Sequence, residues 1–239
     1  MKFADLGLSD ELLQAVEAAG YSEPTPIQAQ AIPQVQMMRD LIAIAQTGTG
    51  KTASFVLPMI DILAHGRRRA MMPRSLILEP TRELAAQVAE NFEAYGKNHD
   101  LKMALLIGGV QMGDQVKALN DGVDVLIATP GRLMDLFERG KILLTGCDLL
   151  VIDDFAIAPM GAPERNDLLE LLDDRIGTRS TLITSQLPVK AWHTYLNDPT
   201  LADAILDRVV HASHKIELKA TKSMRDTAEG GASGGLAGA

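Results

Sequence analysis

The chain has 239 residues, 46% of them hydrophobic and 23% charged, and a net charge of −8. That length suits one large domain or two small ones, at roughly 100–200 residues per domain, and no apolar run approaches the roughly 20 residues of a membrane span. The acidic balance excludes a surface coated in basic charge, and the single cysteine, Cys147, excludes an internal disulfide or a cysteine-cluster metal site. A local phosphate-binding track stays open, because backbone amides and a few arginines can supply one. Met1-Lys2-Phe3-Ala4-Asp5 has no apolar export core, so a cytoplasmic protein is expected.

Residues 9–19 read as an amphipathic helix with Ser9 as its N-cap. From residue 40 onward, short apolar runs alternate with helical stretches. Strands are expected at 41–45, 75–79, 102–107, 124–128, 149–152 and 181–184, each apolar nearly throughout, as strands covered on both faces are. Helices are expected at 51–64, 82–95, 111–119, 131–138, 163–173, 189–196 and 201–210, with a last strand at 214–219. This alternation predicts an α/β three-layer sandwich with a mostly parallel central sheet, forming a single domain over 1–225. After Arg225 the composition shifts to Gly, Ala and Ser, and 226–239 is expected to be a disordered tail.

Ala45-Gln46-Thr47-Gly48-Thr49-Gly50-Lys51-Thr52 follows an apolar strand and opens a helix, the context that a phosphate loop requires. Glycines let the backbone wrap close to phosphates, and the helix N-terminus offers free N–H groups and a favourable dipole. Lys51 would reach the β- and γ-phosphates of ATP, and the Thr52 hydroxyl would hold Mg²⁺. Val151-Ile152-Asp153-Asp154 ends a buried strand with the acidic partner such a loop needs. Asp153 would bind Mg²⁺, and Asp154 would orient the attacking water. The fold expected from this pair is a P-loop NTPase, RecA-like or AAA+-like.

Further motifs follow in order. Gly20-Tyr21-Ser22-Glu23-Pro24-Thr25-Pro26-Ile27-Gln28, with Phe3 upstream, precedes the phosphate loop. Pro80-Thr81-Arg82-Glu83-Leu84-Ala85, Gly108-Gly109 and Thr129-Pro130-Gly131-Arg132 each follow an expected strand. With these motifs, residues 1–147 resemble the N-terminal core of a DEAD-box RNA helicase. The resemblance implies that Gln28 reads the adenine edge, with Phe3 or Tyr21 packing near the base. It implies that Pro80, Thr81, Arg82, Gly108, Gly109, Thr129, Pro130, Gly131 and Arg132 hold a nucleic-acid backbone, RNA rather than DNA. Loops at the carboxyl edge of a parallel sheet are where such a ligand is expected, and Gly amides, hydroxyls and helix N-termini suit a phosphate backbone.

The chain departs from that family at Asp153-Asp154-Phe155-Ala156, where the pattern is Asp-Glu-Ala-Asp, and at Thr184-Ser185-Gln186, where it is Ser-Ala-Thr. Residues 148–225 instead resemble the C-terminal half of an IstB-like AAA+ ATPase, with a Walker B strand at 149–155, a sensor 1 region at 184–188 and an arginine-finger segment at 198–208. That resemblance implies that Arg208 reaches a neighbouring subunit's ATP in a homo-oligomer and that Arg225 contacts ATP in its own subunit. The chain therefore reads as an ATP- and Mg²⁺-dependent NTPase with a nucleic-acid edge, without the second helicase domain and so without efficient unwinding alone. Two alternatives are an IstB-like oligomeric DNA-binding ATPase and a nucleotide-binding module that does not hydrolyse. Arg67-Arg68-Arg69 with Arg74 reads as a solvated basic loop, Met37-Met38 and Met71-Met72 as packing or loop residues, and Cys147 as filling space beside the strand at 149–152, while Trp192-His193 fits the IstB-like pattern and is not read as a metal or catalytic pair.

Overall fold

The computed structural model describes residues 1–66 and 72–218. The expectations for Arg67-Arg68-Arg69, Met71, Arg225 and the tail 226–239 lie outside these residues.

The expected strands form β1 (Leu41–Ile44), β2 (Ser75–Leu78), β3 (Met103–Leu106), β4 (Val125–Ala128), β5 (Leu149–Phe155), β6 (Ser180–Ser185) and β7 (His214–Glu217). They make one sheet in the order β3-β4-β2-β5-β6-β1-β7, with parallel pairing throughout. Alternate strand residues serve opposite faces, as a period of two requires. Leu41, Ala43, Ile77, Val125, Val151 and Leu182 join one core cluster. That face is covered by α1 (Asp10–Ala18), α2 (Pro26–Gln36), α3 (Lys51–His65) and α4 (Arg82–Gly96).

The other face carries two clusters. Leu76, Leu126 and Leu150 meet α5 (Met112–Asn120) and α6 (Pro130–Glu138). Ile42, Ile44 and Ile183 meet α7 (Ala162–Arg175), α8 (Trp192–Leu196) and α9 (Pro199–Ala212). The three-layer α/β sandwich expected from the alternating pattern is the observed architecture. Strand order also settles how the two segments of the chain relate. β5 and β6 sit between β2 and β1, and β7 flanks β1 on its far side. The segment after Cys147 thus supplies two central strands and one edge strand of the sheet and is not appended to it.

Two elements and one side chain differ from expectation. The helix α2 was not legible as an apolar stripe, because Gln and Ala alternate through it and Pro33 interrupts it. Its start is set by chemistry instead: Pro26 sits at the first helical position, and Thr25 and Gln28 form a reciprocal capping box. The helix expected at 189–196 splits into a 3-10 turn at Val189–Ala191 followed by α8. Trp192 is fully buried there, edge-on to Phe155, and its indole N–H donates to the Leu187 carbonyl at 2.8 Å. Arg74, grouped above with a solvated basic loop, is buried. It pairs with Asp124 at 2.9 Å and donates to the Leu63 carbonyl at 2.9 Å, closing the lower ends of α3 and β4.

Candidate functional site

The phosphate loop leaves the carboxyl end of β1 and turns into α3. Gly48 (φ 78°) and Gly50 (φ 86°) occupy left-handed backbone, which suits residues without a Cβ. Gln46, Thr47 and Gly48 are exposed at the tip; Thr49, Gly50 and Thr52 are half-buried. Thr49 donates to the Gln46 carbonyl at 2.7 Å, and Thr47 donates to the Gln186 amide oxygen at 3.3 Å. The loop is therefore preshaped, with its tip open to a ligand.

Lys51 points inward at the start of α3. Its ammonium contacts Asp154 at 3.0 Å, and the two side chains are only 7% and 9% exposed. Asp153 and Asp154 are consecutive, and in a regular strand they would face opposite sides of the sheet. Here β5 breaks register between Ile152 and Phe155, with Asp154 (φ 49°) and Ala156 (φ 70°) in left-handed backbone. A non-glycine residue rarely adopts that region, and the bulge brings both carboxylates into one pocket. Thr184 on β6 holds it there. Its hydroxyl donates to Asp153 and accepts the Asp154 N–H at 3.0 Å. Ser185 donates to the Phe155 carbonyl at 2.6 Å and accepts the Leu187 N–H. The two hydroxyls thus tie the end of β5 to β6 where the expected Asp-Glu-Ala-Asp and Ser-Ala-Thr pattern is absent.

The structure adds a residue to this pocket that was not singled out in the sequence. Glu79, one residue past β2, is fully buried, and one of its carboxylate oxygens lies within 4.8 Å of one oxygen each of Asp153 and Asp154. No N–H or hydroxyl donor among the described residues reaches either oxygen. Burial, with the nearby charges of Asp153 and Asp154 and a proton shared toward Asp153, pushes the Glu79 carboxyl up to about 10. Burial also raises Asp153, against the stabilising Thr184 hydroxyl.

This shift makes a stability prediction. An unfolded glutamate loses its proton near the ordinary 4.5, and folded Glu79 keeps it to about 10, so between those values the folded state holds the extra proton. Stability therefore falls as pH rises through that window. In EDTA, the melting temperature should fall between about pH 5 and about pH 9, and Glu79→Gln should flatten the slope and melt several degrees higher at the alkaline end. Parallel slopes for the two proteins would rule the buried proton out.

The loops after β2, β3 and β4 converge on the same sheet edge. A groove of about 590 Å³ is lined by Pro80, Thr81, Arg82, Glu83, Gly108, Thr129, Gly131 and Arg132. Gly109 and Pro130, expected with them, flank these loops but do not line the groove. Thr81 caps α4 by accepting the Leu84 N–H at 3.2 Å, and Thr129 and Pro130 start α6, so two helix N-termini open here. Gln115, also missed in the sequence, is buried behind the groove. It accepts from Arg132 at 3.0 Å and donates to the Ile107 carbonyl at 2.9 Å, fixing the Arg132 guanidinium.

Other expected residues are placed differently. Phe3 is buried in the core, whereas Tyr21 is half-exposed, so of the two aromatic candidates Tyr21 presents open surface. The Gln28 amide is engaged on both sides: its oxygen accepts the Thr25 N–H at 2.9 Å and its nitrogen donates to the Gly50 carbonyl at 3.2 Å. It braces the phosphate loop and would have to release Gly50 to read a base. Arg208, expected to reach a neighbouring subunit's ATP, is instead tied within the chain to Asp173 on α7 and to the Ala204 carbonyl. Its pairing partner lies one helix away, and the contact clasps α9 to α7.

A phosphate loop on β1, an acidic pocket at the end of β5 and a parallel sheet with β6 between them define a P-loop NTPase domain of RecA-like architecture. The chain belongs to the DEAD/DEAH box helicase family, whose profile matches residues 25–173. It is 44% identical over 158 residues to DEAD-box ATP-dependent RNA helicase 20 of Arabidopsis thaliana, covering 64% of this chain and 31% of that protein. It is 39% identical over 186 residues to ATP-dependent RNA helicase CshA of Limosilactobacillus reuteri, covering 77% of this chain and 36% of that one. The crystal structure of a DEAD box protein from Methanococcus jannaschii superposes with a TM-score of 0.67 at 32% identity, covering 83% of this chain and 54% of that one. The chain thus spans about a third of the length of the curated relatives it matches. The family match crosses the junction expected after Cys147 and takes in β5 and most of α7, so the IstB-like reading of 148–225 is unsupported.

Proposed function

We propose that the chain is the ATP-binding half of a DEAD-box RNA helicase: it binds ATP with Mg²⁺, hydrolyses it, and holds an RNA backbone along the adjoining groove. The observation that carries this reading is the shared sheet edge, where the Lys51–Asp154 pair sits beside a groove walled by Arg82 and Arg132. The pocket suits Mg²⁺, since buried carboxylate oxygens and a hydroxyl are what a hard cation takes. Thr52 and Asp153 would hold it. When bound, Mg²⁺ supplies neutralisation of phosphate charge. Lys51 would leave Asp154 for the phosphates, freeing that carboxylate to orient water. The open amides of the loop tip and of α3 would take the remaining phosphate oxygens.

Arg82, Arg132 and the N-termini of α4 and α6 make contacts that a phosphate backbone satisfies without base reading. Among the described residues no helix is long and apolar enough to cross a membrane. A reducing, cytoplasmic setting is part of the proposal, and the lone thiol, Cys147, is free and buried.

The test is steady-state ATP hydrolysis without nucleic acid, with single-stranded RNA and with duplex DNA. Stimulation by RNA is expected. Arg82→Ala combined with Arg132→Ala should weaken RNA binding about tenfold or more, as loss of two phosphate contacts does, and should flatten its salt dependence. Preference for duplex DNA, or unchanged RNA affinity in the double variant, would overturn the assignment.

A further inference from the structure

We propose that Glu79 is a third carboxylate ligand of the cation pocket, giving the protein a divalent-cation site that fills in the absence of nucleotide. The inference rests on the reading of Asp153 as a metal ligand and extends it to a residue from a different strand.

Three observations carry it. First, Glu79, Asp153 and Asp154 come from the ends of adjacent strands β2 and β5, and one oxygen from each lies within 4.8 Å of the others. Oxygens that share a cation at roughly 2.1–2.4 Å lie at most roughly 4.2–4.8 Å apart, so all three pairs fall within the span that one ion can bridge. Second, Glu79 is fully buried and no N–H or hydroxyl donor among the described residues reaches either oxygen. A buried polar group without a partner is costly, and such groups persist where a ligand completes them. Third, the one neighbouring cation, Lys51, engages only Asp154, so an ion that displaces the Glu79 proton meets two carboxyl groups with no cation of their own. A divalent ion supplies what Lys51 leaves unmet at Glu79 and Asp153.

The backbone is built to keep Glu79 in place. Its N–H donates to the Ala128 carbonyl at 2.9 Å, fixing it to the end of β4, while the bulge in β5 turns both aspartates toward it. Lys51 competes for the same pocket. When the ammonium moves to phosphates, Asp154 is released and the ion gains a ligand, so cation and nucleotide binding reinforce each other through one lysine.

The experiment is titration of the nucleotide-free protein with Mn²⁺, read by loss of the free-ion electron paramagnetic resonance signal and by the rise in melting temperature. The wild type should take up a single Mn²⁺. Glu79→Gln should weaken it by roughly tenfold or more, the loss expected when a ligand is removed. Glu79→Ala should do the same, and serves if the Gln variant does not fold. Lys51→Ala should bind Mn²⁺ more tightly, because the competing ammonium is gone. Uptake equal in wild type and both Glu79 variants, or no uptake by the wild type, would overturn the inference. Absence of ATP hydrolysis alongside Glu79-dependent Mn²⁺ binding would defeat the ATPase reading while leaving the cation site standing.

Discussion

Lys51→Ala is expected to lower ATP turnover by roughly 10²–10³-fold, the usual cost of removing one preorganised charge-stabilising group. It is also expected to weaken the nucleotide-free fold. Lys51 and Asp154 are 7% and 9% exposed and 3.0 Å apart, in a pocket that also holds Asp153 and Glu79. Deleting one partner of a buried pair leaves an uncompensated charge and costs about 3–5 kcal/mol. Both effects come from one ammonium, so they must be separated. Pre-steady-state phosphate release reads the first, and urea unfolding at alkaline pH in EDTA reads the second. Asp154→Asn on the Lys51→Ala background should recover much of the lost stability and none of the turnover. If the two substitutions add without coupling, the ion pair is not a stabilising contact in solution.

How much of this was legible depended on whether the chemistry was contiguous in the chain. Residues 45–52 announce a phosphate loop because the turn, the lysine and the hydroxyl are neighbours flanked by a strand and a helix. The groove was legible for a similar reason: each of its three loops follows an apolar strand, and parallel strands put their carboxyl ends on one side. Glu79 was not legible, because its role exists only once β2 lies beside β5, and strand order is not written in local pattern. Asp154 was assigned a place without the bulge that lets it share a pocket with Asp153, since a left-handed aspartate leaves no sequence mark. Gln28 was read as a base-contacting amide, while in the fold it spends both functions on Thr25 and Gly50. The apparent change of family after Cys147 came from reading 148–225 by itself, whereas its strands are threaded between and beside those of the first segment.

That threading makes Arg175 the most consequential buried side chain away from the pocket. It ends α7, and its guanidinium donates to the Cys147 carbonyl at 3.0 Å, the Asp148 carbonyl at 3.2 Å, the Ser180 carbonyl at 2.6 Å and the Thr181 hydroxyl at 3.0 Å. It therefore closes the amino ends of β5 and β6 and spans the 147/148 step. Arg175→Met keeps the apolar stem and removes the fork. Hydrogen bonds from a charged donor are worth about 1.5–3 kcal/mol each and are not additive, so a loss of about 3–5 kcal/mol is expected in urea unfolding. Arg175→Lys should recover little of it, because a single ammonium cannot reproduce the planar fork. The same titration tests whether the chain is one cooperative unit. Trp192, the only tryptophan, lies on the third core cluster, while far-ultraviolet dichroism reports every helix. In the wild type the two signals should move together, as they must if β5 and β6 cannot leave the sheet without releasing β1 from β2. If Trp192 fluorescence changes at lower urea than dichroism, α7–α9 open as a separate unit. The Arg175 clasp would then be holding together two bodies that do not otherwise share their stability.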